Sequence, residues 1–182
     1  MANVYKNTLD ECGLSYVWLL QGEDVEEEWR KSTLQRILLD QFLVKWRNEL
    51  ERSTKCDYYR HFKLNLTPEM YLTQSSTAIS KVLLKIRTCN HSLPIEKGRY
   101  MNIDRRFRLC SYCDKNKIGD EFHYFFECTN SNIANARQKY IPQHFCETPT
   151  LHKFYSLMKN LKNDTTTINI YKFVKVVLNT VK

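Results

Sequence analysis

Four side chains with metal-ligating chemistry fall within nineteen consecutive residues of the stretch RLCSYCDKNKIGDEFHYFFEC (108–128). Cys110 and Cys113 are separated by two residues, His123 follows after nine more, and Cys128 after a further four. Thiolate and imidazole are the donors that zinc takes, at about 2.3 Å for sulfur and about 2.0–2.1 Å for nitrogen, in a tetrahedron. Two residues between cysteines let both sulfurs face one point, from a tight turn whose backbone N–H groups offset their charge. The excursion DKNKIGDEF contains Gly119, which can take a positive φ and turn the chain back. Little chain entropy is lost in closing loops this short. The spacing C-x2-C-x9-H-x4-C therefore predicts one structural Zn2+ on Cys110, Cys113, His123 and Cys128. Four protein donors saturate the ion and leave no position for a reactive water. The competing reading is a set of reduced cysteines beside a core histidine. A redox pair at Cys110 and Cys113 is disfavoured because no βαβ pattern surrounds it. Asp120 and Glu121 read either as groups that orient His123 or as exposed loop acids.

The remaining donors carry less. Cys12, Cys56, Cys89 and Cys146 have no short-spaced partner and read as core or surface thiols. His61, His91, His144 and His152 are isolated; His91 lies near Cys89, but C-x-H alone specifies nothing. Seven cysteines is an odd number, which a secreted disulfide framework would leave with an orphan. The apolar run LSYVWLL (14–20) follows acids and is too short to span a bilayer. The expectation is an intracellular protein, cytoplasmic or nuclear, with no membrane partner and no small-molecule substrate.

The elements that must position these groups read as helices. Only four Gly and four Pro in 182 residues disfavour a sandwich of many tight turns, so the predicted fold is mainly α, a helical domain with a small inserted CCHC zinc knuckle of irregular or short β structure. Leu34, Ile37, Leu38, Phe42, Trp46 and Leu50 recur at three and four, predicting an amphipathic helix over 32–53 with Ser32 and Gln35 as a capping box. Residues 56–66 read as a short helix or linker. Thr67-Pro68-Glu69 reads as a helix start with Pro at the first position, running to Gln74. Ser75 or Ser76 caps a helix over 76–88, which Pro94 and Gly98 keep from continuing through 91–100. Further helices are expected over 131–141, 151–161 and 168–181. The domain reading is an acidic leader (1–28), a helical region (29–100), the zinc-binding segment (101–147) and C-terminal helices packed on the core (148–182).

Charge is unevenly placed. The net charge is +8, yet residues 1–28 carry seven acids and one base, while the rest carries 27 bases and 13 acids. The leader reads as a solvated tail. Residues 81–110 hold Lys81, Lys85, Arg87, Lys97, Arg99, Arg105, Arg106 and Arg108 against Glu96 and Asp104. Such a block suits a polyanion, because neutralising phosphates releases condensed counterions; a solvated charged face is the plainer reading.

With these residues in view, the run RTCNHSLPIEKGRY…RRFRLCSYCDKNKIGDEFHYFFEC resembles the zinc-binding segment that lies C-terminal to the polymerase in non-LTR (LINE-type) retrotransposon reverse transcriptases. LLDQFLVKWRNELERSTKCDYYRHFK and PEMYL resemble the region preceding it, so the likeness covers residues 30–145. The resemblance implies a CCHC module that binds nucleic acid, with its ligands on Cys110, Cys113, His123 and Cys128. It does not extend to catalysis, since the chain has no F/Y-x-D-D motif to hold polymerase metals.

Together these features predict a non-catalytic, zinc-stabilised module that binds RNA or single-stranded DNA. Arg87, Lys97, Arg99, Arg105, Arg106, Arg108, Lys115 and Lys117 would meet phosphates, with Tyr112, Phe122 or Tyr124 stacking on unpaired bases. The alternative is a zinc-stabilised protein-interaction scaffold with no nucleic-acid role. An enzyme is disfavoured by the lack of a Gly-rich phosphate loop, a nucleophile elbow or an H-E-x-x-H motif. The sequence leaves the oligomeric state open.

Overall fold

The structure is a computed structural model that describes residues 2–20, 27–162 and 164–181, with nothing stated for the side chains of Ala2 and Arg30. It divides into two compact units, residues 1–52 and 53–182.

The first unit contains α1 (Ala2–Glu11), α2 (Ser15–Leu19) and α3 (Glu27–Arg52). The supposed solvated leader is therefore helical over most of its described length, and Leu14 between α1 and α2 is buried. Of the acidic run EDVEEE, residues 23–26 lie outside the described residues. Helix α3 begins five residues before the expected capping box. Ser32 lies inside it and donates its hydroxyl to the Trp29 carbonyl instead of capping (3.0 Å). Glu27 and Glu28 lie in the first described turn, where carboxylates complement the helix dipole, and Lys31 pairs with Glu27 at 2.8 Å. The predicted apolar face is real as a stripe but forms no buried core. Leu34, Ile37, Trp46 and Leu50 are half-buried, while Leu38 and Phe42 are about half exposed.

The second unit carries α4 (Tyr59–Phe62), α5 (Met70–Gln74), α6 (Thr77–Arg87), α7 (Pro94–Tyr100), a 3-10 turn (Arg105–Phe107), a π-helical turn (His123–Glu127), α8 (Ser131–Tyr140), α9 (Gln143–Cys146), α10 (Leu151–Lys159) and α11 (Thr165–Thr180). The fold is mainly α as predicted. Among the described residues, extended pairing is confined to the antiparallel bridge between Leu109 and Ile118. The core is built by α11, whose Ile170, Phe173, Val174 and Val177 repeat at three and four and are buried as it packs on α6 and α8. Phe154 of α10 sits among the rings of Tyr58, Phe122, Phe125 and Phe126 at centroid distances of 5.2–6.1 Å. Burying each such side chain contributes about 1.5–3 kcal/mol.

Ser76 stands at the N-cap of α6 as expected but makes no side-chain capping hydrogen bond, whereas three other starts are capped. Asn130, Thr150 and Asp164 accept from the N–H groups of Ile133, Lys153 and Thr167. One expectation fails: Pro68 lies outside α5, which starts at Met70 behind Glu69. The helix over 76–88 does stop before 91–100, ending at Arg87, but the stretch that breaks it starts a helix of its own: Pro94 opens α7 at its first turn, where its missing N–H costs nothing. Gly98 lies inside α7 because a Cβ there would come within 2.6 Å of the Arg108 stem.

Candidate metal centre and basic face

The cysteine–histidine segment is assembled from two pieces of backbone. The first is a hairpin-like loop in which Cys110 N–H donates to the Lys117 carbonyl (2.8 Å) and Gly119 N–H to the Arg108 carbonyl (2.9 Å). Its left-handed residue is Asn116 (φ 51°), and Gly119 has no positive φ. Gly119 is required for another reason: a Cβ would stand 2.8 Å from the Pro94 ring, so its absence lets the loop lie against α7. Tyr112 N–H points at the Cys110 sulfur (3.4 Å), the backbone compensation expected for a C-x-x-C turn.

The second piece is the π-helical turn. Five residues along an ordinary α-helix place two side chains about 140° apart, on opposite sides. Here Cys128 N–H closes on the His123 carbonyl (2.8 Å), an i→i+5 bond whose wider turn brings both ligands to one face. The H-x4-C spacing needs this turn. Arg137 of α8 holds it, donating to the carbonyls of Phe125 (2.6 Å), Tyr124 (3.1 Å) and Cys128 (2.9 Å), which the helix geometry leaves without partners. Nothing in the local sequence marks Arg137 for this task.

These two pieces bring the ligand atoms of Cys110, Cys113, His123 and Cys128 within 4.8 Å of one another. Cys110 and Cys128 sulfurs are 4.0 Å apart, and the Cys113 sulfur is 3.4 Å from His123 Nε2. Tetrahedral zinc bonds imply about 3.8 Å between sulfurs and about 3.6 Å between sulfur and nitrogen. The donor set thus fits a metal ion without rearrangement. The far ring nitrogen, Nδ1, lies 3.5 Å from Glu127 Oε2, so a carboxylate backs the histidine and leaves Nε2 toward the sulfurs. Burial pushes the Cys128 thiol up to about 12, and charge on Cys110 and Cys113 adds to this. Burial opposes ionisation of Cys113 too, but N–H groups of Lys115 and Thr129 outweigh it and draw that thiol down. Burial lowers His123, keeping its ring neutral and able to donate a lone pair. Crowded sulfurs that hinder one another's ionisation are a configuration that a dication relieves.

Asp120 and Glu121 are neither exposed nor in contact with the His123 ring. Asp120 Oδ1 accepts from the His123 backbone N–H (2.9 Å), and Oδ2 accepts from the Tyr58 hydroxyl (2.7 Å). Glu121 belongs to a second group with Cys89 and His91 that the sequence did not mark. His91 Nδ1 accepts from Leu93 N–H (3.3 Å), leaving Nε2 to donate to Glu121 Oε1 at 2.8 Å. Burial raises the Cys89 thiol, and the Glu121 charge beside it raises it further. Cys89 sits just past the end of α6 at φ 53°, where Asn90 N–H reaches back to the Lys85 carbonyl (2.8 Å). That is the place of a helix-ending glycine.

The predicted phosphate ligands divide into two sets. Arg87 is buried: it pairs with Glu69, donates to the Met158 carbonyl and lies 4.6 Å over the Phe62 ring. It braces α6 against α10 and cannot meet a phosphate. Arg108 is half-buried, donating to the carbonyls of Ile103 (2.8 Å) and Ile95 (3.0 Å). Arg99 pairs with Glu96 (3.0 Å) and Arg105 with Asp57 (2.9 Å). Arg106 is exposed with only a 3.6 Å approach to Asp104, and Lys97, Lys115 and Lys117 are exposed. The stacking candidates also change. Tyr124 is fully buried, Phe122 packs on Phe126 and Phe154, and Tyr112 is half-buried. Among the described residues of the second unit the exposed rings are Tyr100 (66%) and Phe107 (62%), each backed by its neighbouring arginine: Arg99 at 4.4 Å and Arg106 at 4.8 Å. Their signal was the alternation of base and ring in G-R-Y and R-R-F-R.

Among the described residues no helix is long and apolar enough to cross a membrane. No protein-family model, curated protein or solved structure matches the chain.

Proposed function

We propose that residues 53–182 form a non-catalytic nucleic-acid-binding module organised by one structural zinc ion on Cys110, Cys113, His123 and Cys128. The observation that carries the metal is the gathering of three sulfurs and one nitrogen within 4.8 Å of one another, with Glu127 behind the histidine. Zinc is favoured over harder cations because three thiols dominate the donor set. Such an ion would contribute about 10–16 kcal/mol of apparent folding free energy.

Polyanion binding is supported by the exposed bases Lys97, Arg106, Lys115 and Lys117 and by rings backed by arginine. Phosphates would neutralise the bases, while Tyr100 and Phe107 present faces on which unpaired bases stack. The resemblance to the segment following the polymerase of LINE-type reverse transcriptases points the same way. A second reading, a protein-interaction scaffold, is favoured by exposed Leu38, Leu39, Phe42 and Val44 on α3.

Metal content by mass spectrometry should give one zinc per chain, lost in Cys113→Ser. Binding of RNA and single-stranded DNA oligonucleotides over a salt series should give log K falling linearly with log salt, by about 0.7 per phosphate neutralised. Zinc without any oligonucleotide binding would leave the scaffold reading in place.

A further inference from the structure

The face beside the metal segment carries a preformed cleft of about 270 Å³, lined by Met101, Ile103 and Phe107 on its apolar side and by Lys97, Ser111 and Tyr112 elsewhere. We infer that this cleft seats one unpaired nucleobase of a single-stranded nucleic acid, an assignment that rests on the nucleic-acid reading above.

Three observations converge on it. Met101 and Phe107 are exposed by 69% and 62%, and Ile103 by 39%, so a contiguous apolar surface meets water beside a charged rim. A flat, apolar-faced, polar-edged occupant covers such a surface while keeping its own edge solvated. The rim is cationic: Lys97 lines the cleft and Arg106 stacks behind Phe107, so a strand whose base enters would lay its phosphates against positive charge. The cleft is also rigid. α7 ends in a left-handed Asn102 (φ 54°), with Ile103 N–H returning to the Gly98 carbonyl (2.8 Å). Arg108 ties the Ile103 and Ile95 carbonyls together across the floor. A cleft already held in shape adds little ordering cost to binding.

The Arg108 guanidinium is engaged by those two carbonyls, so it builds the wall and does not read the base. Ser111 lines the cleft as well and would offer its hydroxyl to a base edge, while Lys97 is left to the phosphates. A base pair inside a duplex keeps its faces stacked and cannot enter. The cleft therefore selects single strands by access and leaves duplexes to the outer charges alone.

The test uses the full chain with zinc present and three probes: a 12-nucleotide RNA carrying one central 2-aminopurine, the DNA of the same sequence, and the matching DNA duplex. Phe107→Ala should weaken single-strand binding about 5- to 150-fold, the range expected for one stacked base, and leave duplex binding within twofold. The 2-aminopurine emission should be quenched by the natural chain and restored in Phe107→Ala. Lys97→Gln should lower the salt slope by about one unit without restoring emission. The Phe107→Ala loss must appear in whichever single strand binds tighter. Equal losses on single strand and duplex, or no loss with quenching retained, would overturn the base site while leaving the phosphate contacts intact. Failure of the natural chain to bind any probe would overturn both. Phe107 is exposed, and an Ile103→Ser variant checks the same wall independently.

Discussion

The second unit holds two groups of metal-ligating residues built from similar parts, and they differ in kind. Cys110, Cys113, His123 and Cys128 stand 3.4 and 4.0 Å apart where distances are resolved, close to the separations that ligands adopt around one ion. Cys89, His91 and Glu121 are equally close and equally buried, yet His91 and Glu121 are joined at 2.8 Å, shorter than the roughly 3.3 Å expected of nitrogen and oxygen sharing a tetrahedral ion. The two separations in the first group suit ligands around one cation, whereas the His91–Glu121 separation suits a direct hydrogen bond. Residue type and proximity do not make a metal site; the gap between donors does. The second group instead ties the end of α6 to the loop that carries the first, through a cysteine in a left-handed conformation costing about 1–2 kcal/mol.

The sharpest way to break this contrast is Cys128→Ser. Removing one of the four proposed zinc ligands should abolish stoichiometric metal and much of the roughly 10–16 kcal/mol that such an ion would contribute. Mass-spectrometric zinc content with near-UV circular dichroism measures both, and retained zinc would undo the assignment. Next in size, His91→Ala leaves the Glu121 carboxylate buried without its donor, which should cost about 3 kcal/mol in denaturant unfolding while zinc stays at one per chain. Loss of zinc there would show the two groups to be one site. Glu127→Ala should weaken zinc by about 10- to 100-fold in competition with a chelator, leaving the fold unchanged at saturating metal.

The smallest effect is one of pH. Burial and Glu121 raise the folded-state pKa of the Cys89 thiol, so the folded state resists losing its proton. Its contribution is complete below the unfolded value and falls as pH rises above about 9, by roughly 1.4 kcal/mol per pH unit. Unfolding of Cys89→Ala should be less steep in pH over that range, and an unchanged slope would place the titration elsewhere.

The cysteine–histidine cluster was legible because its side chains are close in sequence and their spacing carries the geometry. The helical class was legible for a similar reason: α8, α10 and α11 announce themselves by period and caps. What escaped depended on contacts between distant residues. Gly119 was expected to supply a positive φ, but it is needed where Pro94 crosses it, and Asn116 makes the turn. Arg87 looked like surface charge because it stands in a basic run, yet Glu69 and Met158 draw it inward. Tyr124 and Tyr100 are indistinguishable by composition; one is sealed in the core and the other faces solvent. The boundary at residue 52 was hidden too, because the stretch that follows α3, S-T-K-C-D, holds no Pro or Gly to mark a break.

Arg137 would give a metal ion held there a reach beyond its ligands. Its guanidinium gathers three main-chain oxygens of the coiled segment that presents His123 and Cys128, and it springs from a helix laid along α11. Withdrawing such an ion would slacken that segment, cast off the guanidinium and loosen the rod against which its helix lies. Deuterium uptake along residues 165–180 would then gauge metal occupancy at a distance.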